Sequence, residues 1–327
     1  MRRVVILFAM MALVVCNSTS GKNTIYPVVV EGKIGYINDR GKMVIEPQFG
    51  RVGRFSEGHA AVEIDWKWGY INEKGKIVIE PQFDHSTLFS EGRADVRIGD
   101  KWGFIDTAGN VVVEPQFSAV RPFAESLASV RTQENWGCIT RDGKMVIPAV
   151  HVMPLTFSEG LAAFRDSMLW GYIDKSGDTV IAPRFAMVGV FSEGLAPVLV
   201  DSVWGFIDRT GAFAITPRYD FVGAFSEGFA PVRRGEKWGF IDSTGAFAIE
   251  PQYDLCYGFI DGLAAFRIDD KWGYVNTSGK VVIPAQFALV GYFTGDLAMV
   301  MDTLRNRLYI DRSGKTIWKH EQEGDKK

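Results

Sequence analysis

A Trp-Gly pair recurs at Trp68, Trp102, Trp136, Trp170, Trp204, Trp238 and Trp272, each 34 residues after the last. A fixed period over seven copies decides the architecture before any other property does. Each unit is one supersecondary element that buries its apolar face against its neighbours. The two or three domains that 327 residues would ordinarily suggest give way to a single array.

Residues 94–117 show the unit. A first apolar segment covers Ala94, Val96 and Ile98, and a second is Trp102-Gly103-Phe104-Ile105. A turn from Asp106 to Gly109 leads to Val111-Val112-Val113, which ends in Glu114-Pro115. The turn recurs from Asn38, Asn72, Asp174, Asp208, Asp242, Asn276 and Asp311, always with Gly three residues later. Asp or Asn opens a type I turn through its side chain, and Gly takes the left-handed position at its end. Such a turn between apolar runs predicts a β-hairpin. Gly103 beside Trp102 predicts a close approach of a neighbouring backbone, and Pro115 predicts the end of a strand. The return connection carries two aromatic anchors, as in Phe117 and Phe123, and reads as a packed loop because Gly53, Gly189 and Pro122 interrupt it.

Lys237-Trp238-Gly239-Phe240-Ile241-Asp242, the Gly245 turn, Ile249 to Pro251 and the run Phe225-Ser226-Glu227-Gly228-Phe229-Ala230 resemble the WG-repeat family of bacteria. The resemblance spans residues 25–318. It implies a β-rich repeat protein, often exported, with no general enzymatic activity and no catalytic motif to carry over. The fourth unit departs from the pattern at Val150-His151-Val152-Met153-Pro154, and further departures stand at Ile260-Asp261 and Thr294-Gly295-Asp296.

An apolar content of 47% supplies ample core, and a net charge of −3 with pI 5.9 gives no electrostatic footprint for nucleic acid. The N-terminus differs in kind. Arg2 and Arg3, the apolar run from Val4 to Val15 and the small polar residues Asn17 to Gly21 form a secretory signal peptide, residues 1–20. That run is too short for a comfortable membrane span, so no span is expected after its removal. Cys16 raises the alternative of a lipid-anchored surface lipoprotein, disfavoured because Val15 stands where that signal wants a small residue. Cys138 and Cys256 each replace a hydrophobic residue of the repeat, so buried free thiols are expected.

No group of residues reads as a catalytic, cofactor or metal site. His59, His85, His151 and His320 share no ligand spacing. A glutamate recurs at Glu57, Glu91, Glu125, Glu159, Glu193 and Glu227; a feature copied this often reads as a turn residue accepting backbone N–H bonds or pairing with a neighbour. The candidate ligand surface is the column Arg97, Arg131, Arg165, Arg233 and Arg267, either a basic stripe or partners of those glutamates. The tryptophan column reads as repeat core.

These readings give an all-β tandem repeat array of nine units of about 34 residues, each three-stranded. An open curved solenoid is preferred and a closed propeller-like ring is the alternative, because no split unit joins the ends and 34 residues is short for a four-stranded blade. The array occupies residues 21–318, and a polar tail, residues 319–327, reads as disordered. The expected protein is an exported, monomeric, non-enzymatic binding or scaffold protein of the bacterial envelope, without cofactor, for a protein or glycan ligand. An envelope polysaccharide hydrolase is the rival. Intact-mass measurement of the chain from envelope fractions should find a mature N-terminus at Thr19 or Gly21; a diacylglyceryl group on Cys16 would instead establish the lipoprotein.

Overall fold

The computed structural model describes residues 24–320. The signal segment, Cys16 and residues 321–327 lie outside the described residues. Within them the chain forms nine antiparallel sheets, one per unit, arranged as the blades of a closed ring, a β-propeller. The all-β tandem repeat is thus as the sequence implies, and the arrangement is the ring rather than the open solenoid.

The unit expected to hold three strands holds four in eight of the nine blades. In the third blade these are His85–Ser86, Arg93–Ile98, Lys101–Asp106 and Val111–Phe117. The added strand is two residues long in blades two to eight and lies inside the connection read as a packed loop. Only the first blade has three, Tyr26–Val30, Lys33–Ile37 and Met43–Phe49.

A bulge makes this economy possible. Trp102 pairs with Phe117 and Phe104 with Val113, so the residues around Pro115 oppose Gly103 alone. They lie directly on it: a Cβ at Gly103 would stand 2.4 Å from the Val113 carbonyl oxygen and 2.7 Å from Pro115 N. Every other Trp-Gly glycine meets the same backbone. Past the bulge, one residue, Ser118, separates the last strand of one blade from Ala119–Val120, the first of the next. One extended stretch therefore serves two blades, which is how 34 residues supply four strands.

Adjacent blades are joined by aromatic and turn contacts. Phe104 of the third blade meets Phe123 of the fourth edge-on at 4.9 Å, and Tyr172 meets Phe191 at 4.8 Å. The hydroxyl of Tyr36 donates to Gly53 O, of Tyr70 to Thr87 O and of Tyr172 to Gly189 O, each at 2.8 Å. The Gly75 turn sits on Ile45 of the preceding blade, and Gly109 on Ile79. Cys138 and Cys256 are buried free thiols in this packing.

The ring closes without a split blade. Gly41 of the first blade sits on Ile317 of the ninth, the same contact that joins every earlier pair. Around it Tyr26, Val28, Ile37, Leu297 and Tyr309 form a buried cluster flanked by Met43, Ile317 and Trp318. Tyr26 donates its hydroxyl to Thr294 O at 2.7 Å and accepts from the Asp296 and Leu297 N–H groups. Tyr309 donates to Pro27 O at 3.0 Å. The first two residues of the tail expected over 319–327 belong to the fold: Lys319 ends the last strand, and His320 is 8% exposed, its Nδ1 accepting the Val29 N–H at 3.2 Å.

That bond requires a neutral imidazole. Burial first, and then the Arg307 guanidinium, hold the His320 pKa below the ordinary histidine value. A depressed histidine contributes stability that is present above its unfolded pKa of about 6.5 and is lost as the pH falls through the lower folded value. Thermal melts from pH 7 downward should show the gap between the parent chain and His320→Ala narrowing as the pH drops; a gap independent of pH would remove histidine from the seam.

Candidate functional site

The ring has two faces of different chemistry. One carries the turns between first and second strands together with the Asp-x-x-Gly turns. Its centre is a chain of glutamates. Glu57 and Gly58 occupy the two left-handed positions of a tight hairpin, with φ of 50° and 75°. Asn would suit that first position better, but the longer Glu57 side chain reaches the next blade and accepts the Glu91 and Gly92 N–H groups at 2.7 and 2.9 Å. Glu91 does the same to Ser126, Glu125 to Gly160, Glu159 to Gly194, Glu193 to Gly228 and Glu227 to Gly262. Beside them the hydroxyl of Ser56 donates to Phe89 O, and those of Ser90, Ser158, Ser192 and Ser226 make the equivalent bond. Arg141 pairs with Glu91 at 2.8 Å and Lys175 with Glu125 at 3.1 Å. Carboxylates so engaged are structural caps.

The opposite face carries the turns between second and third strands and the links between blades. The arginine column lies here, at the other end of the strands from the glutamates, so the two columns do not pair. Arg97, Arg131, Arg165, Arg233 and Arg267 each stand across the ladder from a tryptophan: Trp102, Trp136, Trp170, Trp238 and Trp272. The Arg97 and Arg267 guanidinium carbons lie 5.9 Å from their indole centroids. The Nε atoms of Arg97, Arg165, Arg233 and Arg267 are buried without a hydrogen-bond partner. These side chains lie along the indoles. Trp136, Trp204 and Trp272 are buried, while Trp68, Trp102, Trp170 and Trp238 are half-buried between blades. His85 fills the gap between Trp68 and Trp102, at 5.8 and 5.3 Å, as Phe221 does between Trp204 and Trp238. Lys67–Asp84 and Lys237–Asp254 pairs clasp neighbouring blades at this end.

Six large apolar residues are more than half exposed among the described residues, and all six are on this second face. Trp66, Met168 and Leu304 are 84%, 73% and 79% exposed at turn tips; Val150, Val152 and Leu289 stand at the links. In the repeat alignment Trp66 and Met168 occupy the place of Asp100, Glu134, Ser202, Glu236 and Asp270. Trp66 also holds φ of 65°, an uncommon conformation for so bulky a residue. The sequence held this signal, in the columns where a polar position turns apolar. Six exposed apolar residues belong to the fourth to sixth blades and their links: Val150, Val152, Met153, Met168, Leu169 and Met187. Leu169 replaces the lysine of the Lys67 position, and Val152 the aspartate of the Asp84 position.

Among the described residues no group of three or more His, Cys, Asp or Glu could hold a metal ion, and no helix is long and apolar enough to cross a membrane. An open groove of about 410 Å³ between the fifth and sixth blades is lined by Arg184, Phe185, Val200, Gly211, Ala212 and Phe213. Arg184 donates across it to Gly211 O, and it contains no acid–base pair.

One perturbed carboxyl escaped the sequence reading. Asp95, 4% exposed, stands where other units have Ala61, Ala163 or Ala265 and accepts a hydrogen bond from Thr87 Oγ1. Burial pushes its pKa up to about 6, against the opposing pull of the Thr87 bond and the Arg121 charge. A raised carboxyl contributes stability that is present below its unfolded pKa and is lost as the pH rises through about 6. Asp95→Asn should therefore stabilise the chain by about 2–3 kcal/mol at pH 7 and leave it nearly unchanged at pH 4. Calorimetric melts at the two pH values check this, and equal effects at both would place the Asp95 charge in a solvated setting.

The model of the family described as WG containing repeat matches eight segments, residues 34–68, 68–102, 102–135, 136–166, 170–203, 204–238, 238–272 and 272–302. No curated protein matches the chain in sequence. Among solved structures the ring is similar to a eukaryotic initiation factor, with a TM-score of 0.65 at 10% identity over 92% of this chain and 96% of that one. At that identity the likeness concerns the fold alone. BamB from Moraxella catarrhalis, also 10% identical, covers 77% of this chain and 93% of its own with a TM-score of 0.47, too low to carry an argument. Eight matched segments across most of the chain identify it: this protein belongs to the WG containing repeat family, built as a nine-bladed β-propeller.

Proposed function

We propose that this propeller is an exported, monomeric, non-enzymatic binding platform of the cell envelope, and that its ligand is a protein held on the face of the second-to-third-strand turns. The observation that carries the reading is the concentration of strongly exposed apolar side chains on that one face. Strongly exposed apolar side chains gathered on one face support an interaction site there. Trp66 reinforces it, since an exposed indole in a left-handed conformation serves neither the turn nor the core. A protein suits aliphatic valines and methionines better than a glycan does. Sugars stack on open aromatic faces, and the tryptophan column lies wedged between blades. Export rests on the signal segment, and the absence of enzymatic activity on the engagement of the repeated carboxylates as caps.

The test is a triple variant, Trp66→Ser, Met168→Ser and Leu304→Ser. These sites are exposed, so each change should alter stability by no more than about 0.5 kcal/mol. Cross-linking in envelope fractions should recover a defined protein with the parent chain and lose it with the variant. Retention of that partner by the variant, or turnover of envelope polysaccharide by the purified chain, would defeat the reading.

A further inference from the structure

The fifth blade breaks the rule that its siblings obey. In the third, fourth, sixth, seventh and eighth blades the short first strand makes two backbone bonds to the second. In the sixth, Ala186 N–H donates to Leu199 O at 3.1 Å and Gly189 N–H to Pro197 O at 2.8 Å. In the fourth, Ser118 and Arg121 donate to Arg131 O and Ser129 O. The equivalent donors in the fifth blade are Val152 and Leu155, and the equivalent acceptors are the carbonyls of Arg165 and Ala163. Neither bond forms among the described residues. The first strand of this blade is instead Phe157–Ser158, which pairs only with Ala162 and Leu161.

Two residues account for the difference. Pro154 stands where Val120, Val188 and Val222 stand in sibling strands, and proline fixes its own φ, restricts the residue before it and interrupts a ladder. Ser129 of the fourth blade then captures the displaced chain: Leu155 N–H donates to Ser129 Oγ at 2.9 Å, and that hydroxyl donates to Leu155 O at 2.6 Å. Strand Leu161–Asp166 is left with an open edge from Ala163 to Asp166. Ala163 and Phe164 are half-buried, whereas their counterparts Asp95 and Val96, Pro197 and Val198, Pro231 and Val232 are all buried. Exposed Val152, Met153 and Met168 flank the opening.

We infer that this edge is a docking site for an extended segment of a partner protein, which supplies along Ala163 to Asp166 the pairing that the shifted first strand leaves unmade. The sibling blades define what fits. The occupant runs antiparallel to Leu161–Asp166 and donates two N–H groups, three residues apart, to Arg165 O and Ala163 O, as Ala186 and Gly189 do in the sixth blade. Its apolar side chains rest beside Val152, Met153 and Met168. Main-chain bonds to an unpaired edge give affinity in this mode, and the flanking side chains give selectivity. A sugar or a lipid offers no pair of donors at strand spacing. The inference deepens the binding-platform reading and rests on it for the class of ligand.

The probe is a fluorescein-labelled peptide copying residues 184–191, the sibling stretch of the sixth blade, titrated against the purified chain by anisotropy. It should bind saturably, one per chain. N-methylation at the positions copied from Ala186 and Gly189 should weaken binding at least tenfold. The substitutions Val152→Ser, Met153→Ala, Pro154→Val and Leu155→Arg, which copy the fourth-blade link, should restore the native strand and abolish binding. Pro154→Val alone serves if that variant misfolds, and should weaken binding. Absence of binding, indifference to N-methylation or undiminished binding to the sealed edge would each overturn the inference. If the peptide fails while the Trp66, Met168 and Leu304 variant still loses its cross-linked partner, the edge falls and the platform reading stands.

Discussion

Everything in this propeller hangs on the contact between the glycine of each Trp-Gly pair and the bulged backbone across from it. At Gly103 the Val113 carbonyl and Pro115 nitrogen occupy the space a β-carbon would need. Any side chain there would drive the fourth strand off the third. With glycine the fourth strand bulges, turns and passes into the next blade after a single residue. The tryptophan beside it then fills the wedge between blades, with His85 or Phe221 on one flank and its cross-strand arginine on the same sheet face. The Trp-Gly signature is therefore one device in two halves: the glycine admits the crossing, and the indole packs the gap that the crossing opens.

Closure follows from the same repetition. Each blade meets its neighbour through the same turn-on-strand contact, supplemented by tyrosine-to-carbonyl bonds and aromatic ring contacts where the third strand carries an aromatic residue, so the steps from blade to blade are alike. After nine steps the first blade meets the ninth with the contact already used between the others, Gly41 on Ile317. No strand has to be exchanged between the ends, because the seam is fastened by side chains: Tyr26, Tyr309 and His320 supply hydrogen bonds, and Leu297 and Val28 the apolar contact. A strand shared between termini is one way to close a ring; a buried interface that matches all the others is another.

The faces divide the labour. Glutamates in left-handed turns bind one side of the ring together, the backbone strain being offset by charged caps on the next blade. On the other side the clasping charges are interrupted in the fourth to sixth blades, where Leu169 and Val152 replace the usual lysine and aspartate and the first strand of the fifth blade is shifted to Phe157–Ser158. The departure from the repeat that begins at Val150 and the opening in the fold are the same event, since Pro154 produces the second.

The sequence alone determined the repeat, its period, the hairpin turns, the close approach at each glycine and the family, because these depend on contacts within one unit that recur unchanged. It also marked residues 150–154 as one of the places where the pattern fails. Only the tertiary structure decided between open array and ring, because closure depends on the rotation between blades, a quantity that no single unit encodes. It alone placed the arginine and glutamate columns on opposite faces, for both recur at the same interval and spacing says nothing of which end of a strand each occupies. It alone gave His320 a partner 291 positions away, and it alone showed that Asp95 is buried rather than tolerated at a turn. Those properties are set by what lies across a blade interface, and a sequence read in order does not contain its neighbours.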